Sequence, residues 1–174
     1  LDIQTEVLPI AMLLFVGGLD TVKNTLGHVF RVLAERPNLQ AWIRKHPDGI
    51  EEALEELFRY LGGTTPPRRV AKDVVFHGAP MGKDDMVALV TGTVGIDERA
   101  VDRPLVLDFE REQKPHAAFG TGRHRCGGSN LARLEMRVLI EQWFARIPEF
   151  RIKPGTKPLF NPGTVNAIDN LKDR

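Results

Sequence analysis

The chemistry in this sequence concentrates around one thiol. Cys126 is the only cysteine, and it sits in Phe119-Gly120-Thr121-Gly122-Arg123-His124-Arg125-Cys126-Gly127-Gly128, directly before an amphipathic stretch that starts at Ser129. A helix N-terminus and neighbouring positive charge favour the thiolate form of a cysteine, and Arg123, Arg125 and His124 supply such charge. Glycines let backbone lie close to a bulky partner, and Ala132, about one and a half turns beyond Cys126, keeps that surface low. A buried, inert cysteine is the plain alternative, but such residues are seldom flanked by two arginines and two glycines. Zinc lacks support, since no second cysteine or paired histidine lies at ligand spacing. His124, two residues away, is poorly placed as a base for a Cys–His nucleophile.

Three other groups attract notice. Glu56 and Arg59 are three residues apart, which puts both on one face of a helix. Gly17-Gly18-Leu19-Asp20-Thr21 places an acid and an alcohol after a double glycine inside a helical pattern. Each such glycine is unfavourable by up to about 1 kcal/mol relative to alanine, so the pair implies a kink or a large body close to the backbone. Arg68 follows Arg59 in Pro67-Arg68-Arg69, which by itself reads as a solvated loop.

The elements that must position these residues follow from the hydrophobic pattern. Leu8, Met12, Phe15, Leu19, Val22, Leu26, Val29 and Leu33 recur at steps of three and four, predicting a long first helix buried over much of its length. A short helix covers Leu39 to Lys45. Asp48 reads as an N-cap with Glu51 as its capping-box partner, starting a helix over 50–61 that Gly62-Gly63 end. Glu52, Glu55, Glu56 and Arg59 lie on the polar face of that helix. Strands are expected over 69–76 and 86–91 with a turn at 78–85, and short terminal strands at 150–152 and 165–168. Residues 93–118 show no period, and so long an irregular stretch tends to be functional. A last helix runs from Ser129 to about Arg146. The fold class is mainly α with minor β.

Composition narrows the function. The 174 residues are 42% hydrophobic and 27% charged, which fits a globular domain. Lys+Arg 24 against Asp+Glu 23 leaves a net charge of +1 and gives no global pull toward nucleic acid. One cysteine excludes an internally stapled secreted scaffold. The apolar run from Val7 to Val16 is shorter than the ~20 residues a bilayer span needs. No membrane or nucleic-acid partner is expected, and a reducing, cytoplasmic setting is. The chain begins at Leu1 rather than Met and reads as a piece of something longer.

The cysteine segment resembles the haem-binding loop of the cytochrome P-450 family, Phe-x-x-Gly-x-Arg/His-x-Cys-x-Gly with an alanine four residues later: Phe119, Gly122, His124, Cys126, Gly128 and Ala132 all match. Glu56-Leu57-Phe58-Arg59 resembles the family's Glu-x-x-Arg, and Asp20-Thr21 its acid–alcohol pair. Leu-Leu-Phe-Val-Gly-Gly-Leu-Asp-Thr and Ile-Asp-Glu-Arg are similar to the camphor-hydroxylase group of bacterial members. The resemblance implies the C-terminal part of that fold: a distal helix, the Glu-x-x-Arg helix, a meander and the Cys-loop helix, read as one haem-binding domain fragment over 1–174 without the N-terminal half.

It further implies haem b, with Cys126 as axial iron ligand. Phe119 would pack beside the thiolate, with Gly120, Gly122, Gly128 and Ala132 lining the loop, and His124 and Arg68 would meet haem propionates. Gly17 and Gly18 would leave room for haem and dioxygen, and Asp20 and Thr21 would relay protons. Glu56 and Arg59, with Arg111 as a candidate third member, would hold the meander. Gly63, Thr64, Thr65 and a turn near Val165 would line the pocket of a small apolar substrate, such as a terpenoid. A [2Fe–2S] ferredoxin would deliver electrons at the proximal face, where Arg123, Arg125 and Arg133 are candidate docking residues. The implied activity is monooxygenation. The alternatives are a catalytically incompetent fragment that only binds haem or self-associates, and a peroxide-using haem enzyme, against which the intact Asp20-Thr21 pair speaks.

Overall fold

The structure, a computed structural model, describes residues 2–169. Among them are four α-helices: α1 (Leu8–Glu35), α2 (Pro37–Lys45), α3 (Ile50–Leu61) and α4 (Ser129–Phe144). Three antiparallel ribbons complete the fold. β1 (Pro67–Arg69) pairs with β4 (Met86–Ala88), β2 (Val74–Phe76) with β3 (Ala79–Met81), and β5 (Leu159–Asn161) with β6 (Ala167–Asp169). The mainly helical expectation holds, and residues 93–118 are largely irregular apart from a 3-10 stretch at Thr91–Ile96.

The core is where the helices meet. Val29, Val32 and Leu33 of α1 pack with Ile43 of α2, Leu54, Leu57 and Phe58 of α3, and Met136 and Ile140 of α4. Removing such side chains from water stabilises by roughly 1.5–3 kcal/mol each, so this cluster holds the four helices together. Gln40, buried beside it, donates from Nε2 to the carbonyls of Leu33 (2.8 Å) and Phe150 (2.9 Å) and accepts the Phe150 N–H at 3.1 Å.

Several expectations change. α1 is buried only toward its C-terminal end; Leu8 to Leu19 are exposed, with Leu14 at 72%. The helical stretch Ile3–Glu35 is long and apolar enough to cross a membrane by length and composition alone, whereas the uninterrupted apolar run from Val7 to Val16 is too short by itself. Asp48 does not cap α3. Pro47 opens a 3-10 turn, Gly49 takes the N-cap position without a side-chain bond, and Glu51 turns to Arg137 of α4 instead. The strand expected over 69–76 is split. His77 (φ 47°) and Gly78 (φ 83°) reverse the chain between β2 and β3, earlier than the expected turn. Residues 150–152 form no strand, because Gln40 satisfies the Phe150 amide and carbonyl. The 165–168 expectation is met by β6 and by a bridge between Thr64 and Val165.

Candidate functional site

The loop around Cys126 is wound by its own backbone. Gly120 N–H donates to the Ala117 carbonyl at 2.9 Å, and Cys126 N–H returns to the Phe119 carbonyl at 2.8 Å. Gly120 adopts φ 68°, a left-handed conformation, and a Cβ there would stand 3.0 Å from the His124 carbonyl oxygen. Glycine is the residue that both constraints admit. A 3-10 turn at Gly122–His124 follows, and Ala132 N–H donates to the Gly128 carbonyl at 2.9 Å as α4 begins. Cys126 is free and exposed, with its Sγ 3.9 Å from where a Gly128 Cβ would be. Arg123, His124 and Arg125 are exposed and form no ion pair among the described residues.

Glu56 and Arg59 are not on a solvated face. Both side chains are fully buried, with Arg59 Nε 2.7 Å from Glu56 Oε2 and Nη2 2.8 Å from Oε1. Arg59 also donates to the carbonyls of Gly95, Pro104 and Val106. A Cβ on Gly95 would lie 2.1 Å from the Arg59 carbonyl oxygen, so only glycine lets the meander backbone approach α3 so closely. Glu56 accepts the Asp108 N–H at 3.0 Å and Arg111 Nε at 3.2 Å, which brings Arg111 into the cluster. Burial pushes the Glu56 carboxyl up, but the Arg59 hydrogen bonds, the Asp108 amide and the Arg59 charge outweigh it and hold the group below the usual carboxylate range.

On α1, Thr21 Oγ1 donates to the Gly17 carbonyl at 2.5 Å, the back-bonding that helical threonines adopt. The helix continues through Gly17-Gly18, and neither glycine has a heavy atom within 4 Å of its missing Cβ. Asp20 is exposed. Arg68 lies on exposed β1 and donates only to the carbonyl of Pro67. Among the described residues, no hydrogen bond or ion pair joins Asp20, Thr21 or Arg68 to the Cys126 loop. Gly63, Thr64 and Thr65 do meet the turn near Val165, through the Thr64–Val165 bridge and a 2.9 Å bond from Thr65 N–H to the Thr164 carbonyl.

The cytochrome P450 family model matches residues 50–168, well over half of the chain, and that span holds both the buried Glu56–Arg59 cluster and the Cys126 loop. This chain belongs to the cytochrome P450 family. The protein described as "Probable cytochrome P450 127A1" of Sinorhizobium fredii is 37% identical over 168 residues, covering 97% of this chain and 41% of that protein. Pentalenic acid synthase of Streptomyces avermitilis is 33% identical over 171 residues, covering 97% and 42%. Among solved structures, CYP101J2 superposes with a TM-score of 0.87 at 38% identity, over 93% of this chain and 42% of that one. The chain thus spans about two-fifths of the length of the curated relatives it matches.

Cytochrome P450 proteins carry haem on a cysteine thiolate. The residues of this P450 chain fit such a group. The one cysteine is exposed in a loop of glycines, and Gly17, Gly18, Gly122 and Gly127 all have open space where a side chain would stand. Leu13, Leu14 and Phe15 present an apolar exposed surface on the same half of α1 as Gly17 and Gly18.

Two residues outside the sequence motifs, Glu55 and His116, join Arg133 beside the loop. Glu55 accepts Arg133 Nε at 2.5 Å and lies 2.9 Å from His116 Nε2. Arg133, a candidate docking residue by its sequence position, pairs with Glu55, and its guanidinium lies 4.4 Å from the Phe119 ring centroid. The available signal was positional: His116 is three residues before Phe119, and Glu55 adjoins Glu56.

Proposed function

We propose that this chain supplies the haem-thiolate site of a soluble, cytoplasmic monooxygenase acting on a small apolar substrate, with electrons from a ferredoxin. The exposed lone thiol at the mouth of a glycine-wound loop carries this reading. Cys126 would hold the haem iron through its thiolate. His124 and Arg68 would pair with its propionates, and Gly17, Gly18, Gly120, Gly122, Gly128 and Ala132 would leave room for it. When bound, the haem supplies the oxidising chemistry that places one atom of dioxygen in the substrate and releases the other as water.

The chain's own residues bind, orient and move protons. The Thr21 hydroxyl holds its proton toward the Gly17 carbonyl and has a free lone pair for a water. The exposed Asp20 carboxylate accepts a proton from solvent and returns it to that water. Glu56, Arg59 and Arg111 hold the meander, and with it the approach to the Cys126 loop, in one conformation. Thr64 and Thr65, tied to the Thr164–Val165 segment, form a rim for an apolar substrate. Arg123 and Arg125, exposed and unpaired among the described residues, offer positive charge to an acidic electron donor.

A second reading rests on the exposed apolar row of α1 between Leu8 and Leu19: a module that binds haem or associates with another copy without turnover. One spectrum decides between the site being formed and not. The haem-loaded, reduced, carbon-monoxide-bound protein should show the red-shifted Soret band of thiolate ligation, and Cys126→His should lose it. An unshifted band in the parent protein, or a shifted band surviving in Cys126→His, overturns the assignment.

A further inference from the structure

We propose that Glu55, His116 and Arg133 form a positioning set that fixes Phe119 and, through it, the backbone pose of Cys126. The inference rests on the reading of Cys126 as the haem ligand for its significance, but not for its geometry.

Two arms run from one carboxylate to one aromatic residue. In the first, Ala118 N–H donates to His116 Nδ1 at 3.2 Å. That nitrogen is therefore unprotonated, so the ring is the Nε2–H tautomer and donates to Glu55 Oε2 at 2.9 Å. In the second, Arg133 donates from Nε to Glu55 Oε1 and from Nη2 to Oε2. Its guanidinium then lies over Phe119 at 4.4 Å and beside Phe58 at 5.9 Å. Phe119 meets Phe58 edge-on at 5.0 Å between ring centroids. The residue held from both sides is the one whose carbonyl accepts the Cys126 N–H at 2.8 Å. Helix α3, the end of the irregular segment and helix α4 thus converge one hydrogen bond from the thiol.

A neighbouring pair shows that this is more than a tie between helices. Glu51 and Arg137 also link α3 to α4 by an ion pair, one turn away from Glu55 and Arg133, and among the described residues Arg137 has no cation–π contact with a ring of the loop. Removing either pair should loosen the helix contact; only the Glu55 set should reach Cys126.

The chain has one cysteine, so alkylation by iodoacetamide reports on Cys126 alone. The test compares its alkylation rate, and the amide hydrogen exchange of residues 119–128, in the parent and in Glu55→Gln, His116→Gln, Arg133→Gln and Arg137→Gln, without haem. A through-space charge effect gives opposite signs, because removing Glu55 favours the thiolate and removing Arg133 disfavours it. Positioning gives one sign: each of the first three variants should speed loop exchange several-fold and shift alkylation in a common direction, while Arg137→Gln changes neither. The Glu55→Gln/Arg133→Gln double variant should be no worse than the worse single one. Opposite signs for Glu55→Gln and Arg133→Gln, or an equal response in Arg137→Gln, overturn the proposal. If Arg133→Gln does not fold, Arg133→Lys keeps the ion pair but loses the flat stack on Phe119, and it should still speed exchange; exchange at the parent rate overturns the proposal. Soret spectra of the same proteins with added haemin separate the two claims: a loosened loop without thiolate ligation in the parent would sink the ligand reading and leave the positioning set standing.

Discussion

Glu55 and Glu56 are adjacent in sequence, yet their side chains serve two different parts of the molecule. Successive helical residues point about 100° apart, so one faces the loop before Cys126 and α4 while the other faces the meander. Glu56 is fully buried and faces two arginines and a backbone amide. Glu55 keeps a third of its side chain exposed and faces one arginine and one histidine. Burial raises the electrostatic stakes, because a stranded charge there has no water to turn to. Helix α3 thus carries a rigid anchor on one side and an adjustable one beside the candidate ligand.

The largest expected effect is at the buried anchor. Glu56→Ala strands Arg59 and Arg111 together, and breaking a buried pair in this way destabilises by about 3–5 kcal/mol. Urea unfolding followed by circular dichroism checks this. A loss below about 1 kcal/mol would erase the distinction between the two glutamates. Arg111→Ala should fall between, since it leaves the Glu56–Arg59 pair intact while freeing the carbonyls of Asp102 and Arg103, the Val106 carbonyl keeping its bond from Arg59.

How much of this could be read beforehand depends on the range over which the information acts. The Cys126 loop was legible because its glycines, histidine and cysteine are local in sequence and their spacing is imposed by the backbone. The Glu56–Arg59 spacing was legible too, and the family resemblance implied that the pair holds the meander, but residue types alone did not show its burial: two charges on a helix look solvated until the meander, some fifty residues on, closes over them. The same blindness placed Asp48 at a cap, where Glu51 prefers Arg137, and made 150–152 a strand, where Gln40 reaches 110 residues along the chain. Apolar periodicity predicted α1 correctly as a helix but not which half is covered, because period reports a face and not what lies against it. Glu55, His116 and Arg133 were hidden for the same reason. Each is ordinary alone, and only folding brings them to one aromatic ring.

The half-exposed anchor should show itself in acid. Burial pushes the Glu55 carboxyl up, but hydrogen bonds from His116 and Arg133 and the Arg133 charge outweigh it and bring the group from 4.5 down to about 2. A lowered folded value means that stability from this group is fully present above about pH 4.5 and is lost as the pH falls toward 2. Glu55→Gln, which cannot titrate, should be less stable than the parent near neutrality by about 1 kcal/mol, a figure reduced for solvent screening. The difference should shrink through that acid window. Thermal melts at a series of pH values measure it; a difference that stays constant down to pH 2 would mean that the carboxylate charge is not what holds His116 and Arg133.

The smallest effect is expected at the Glu51–Arg137 pair, and it sharpens the comparison from the other end. Here 65% of the Glu51 side chain and 38% of the Arg137 side chain are exposed, and Arg137 is shared with Glu141. Water competes for both charges, and a flexible arginine must be ordered to make the contact, so exposed pairs of this kind contribute about 0.2–1 kcal/mol. Arg137→Gln should therefore lower stability by less than about 1 kcal/mol. Most of that loss should vanish at high salt, where the Debye length falls to about 3 Å. Urea unfolding at low and high ionic strength reads both numbers. A salt-independent loss as large as that of Glu56→Ala would mean that exposure does not rank the glutamates of α3, and that their order along the helix matters more than the solvent each one sees.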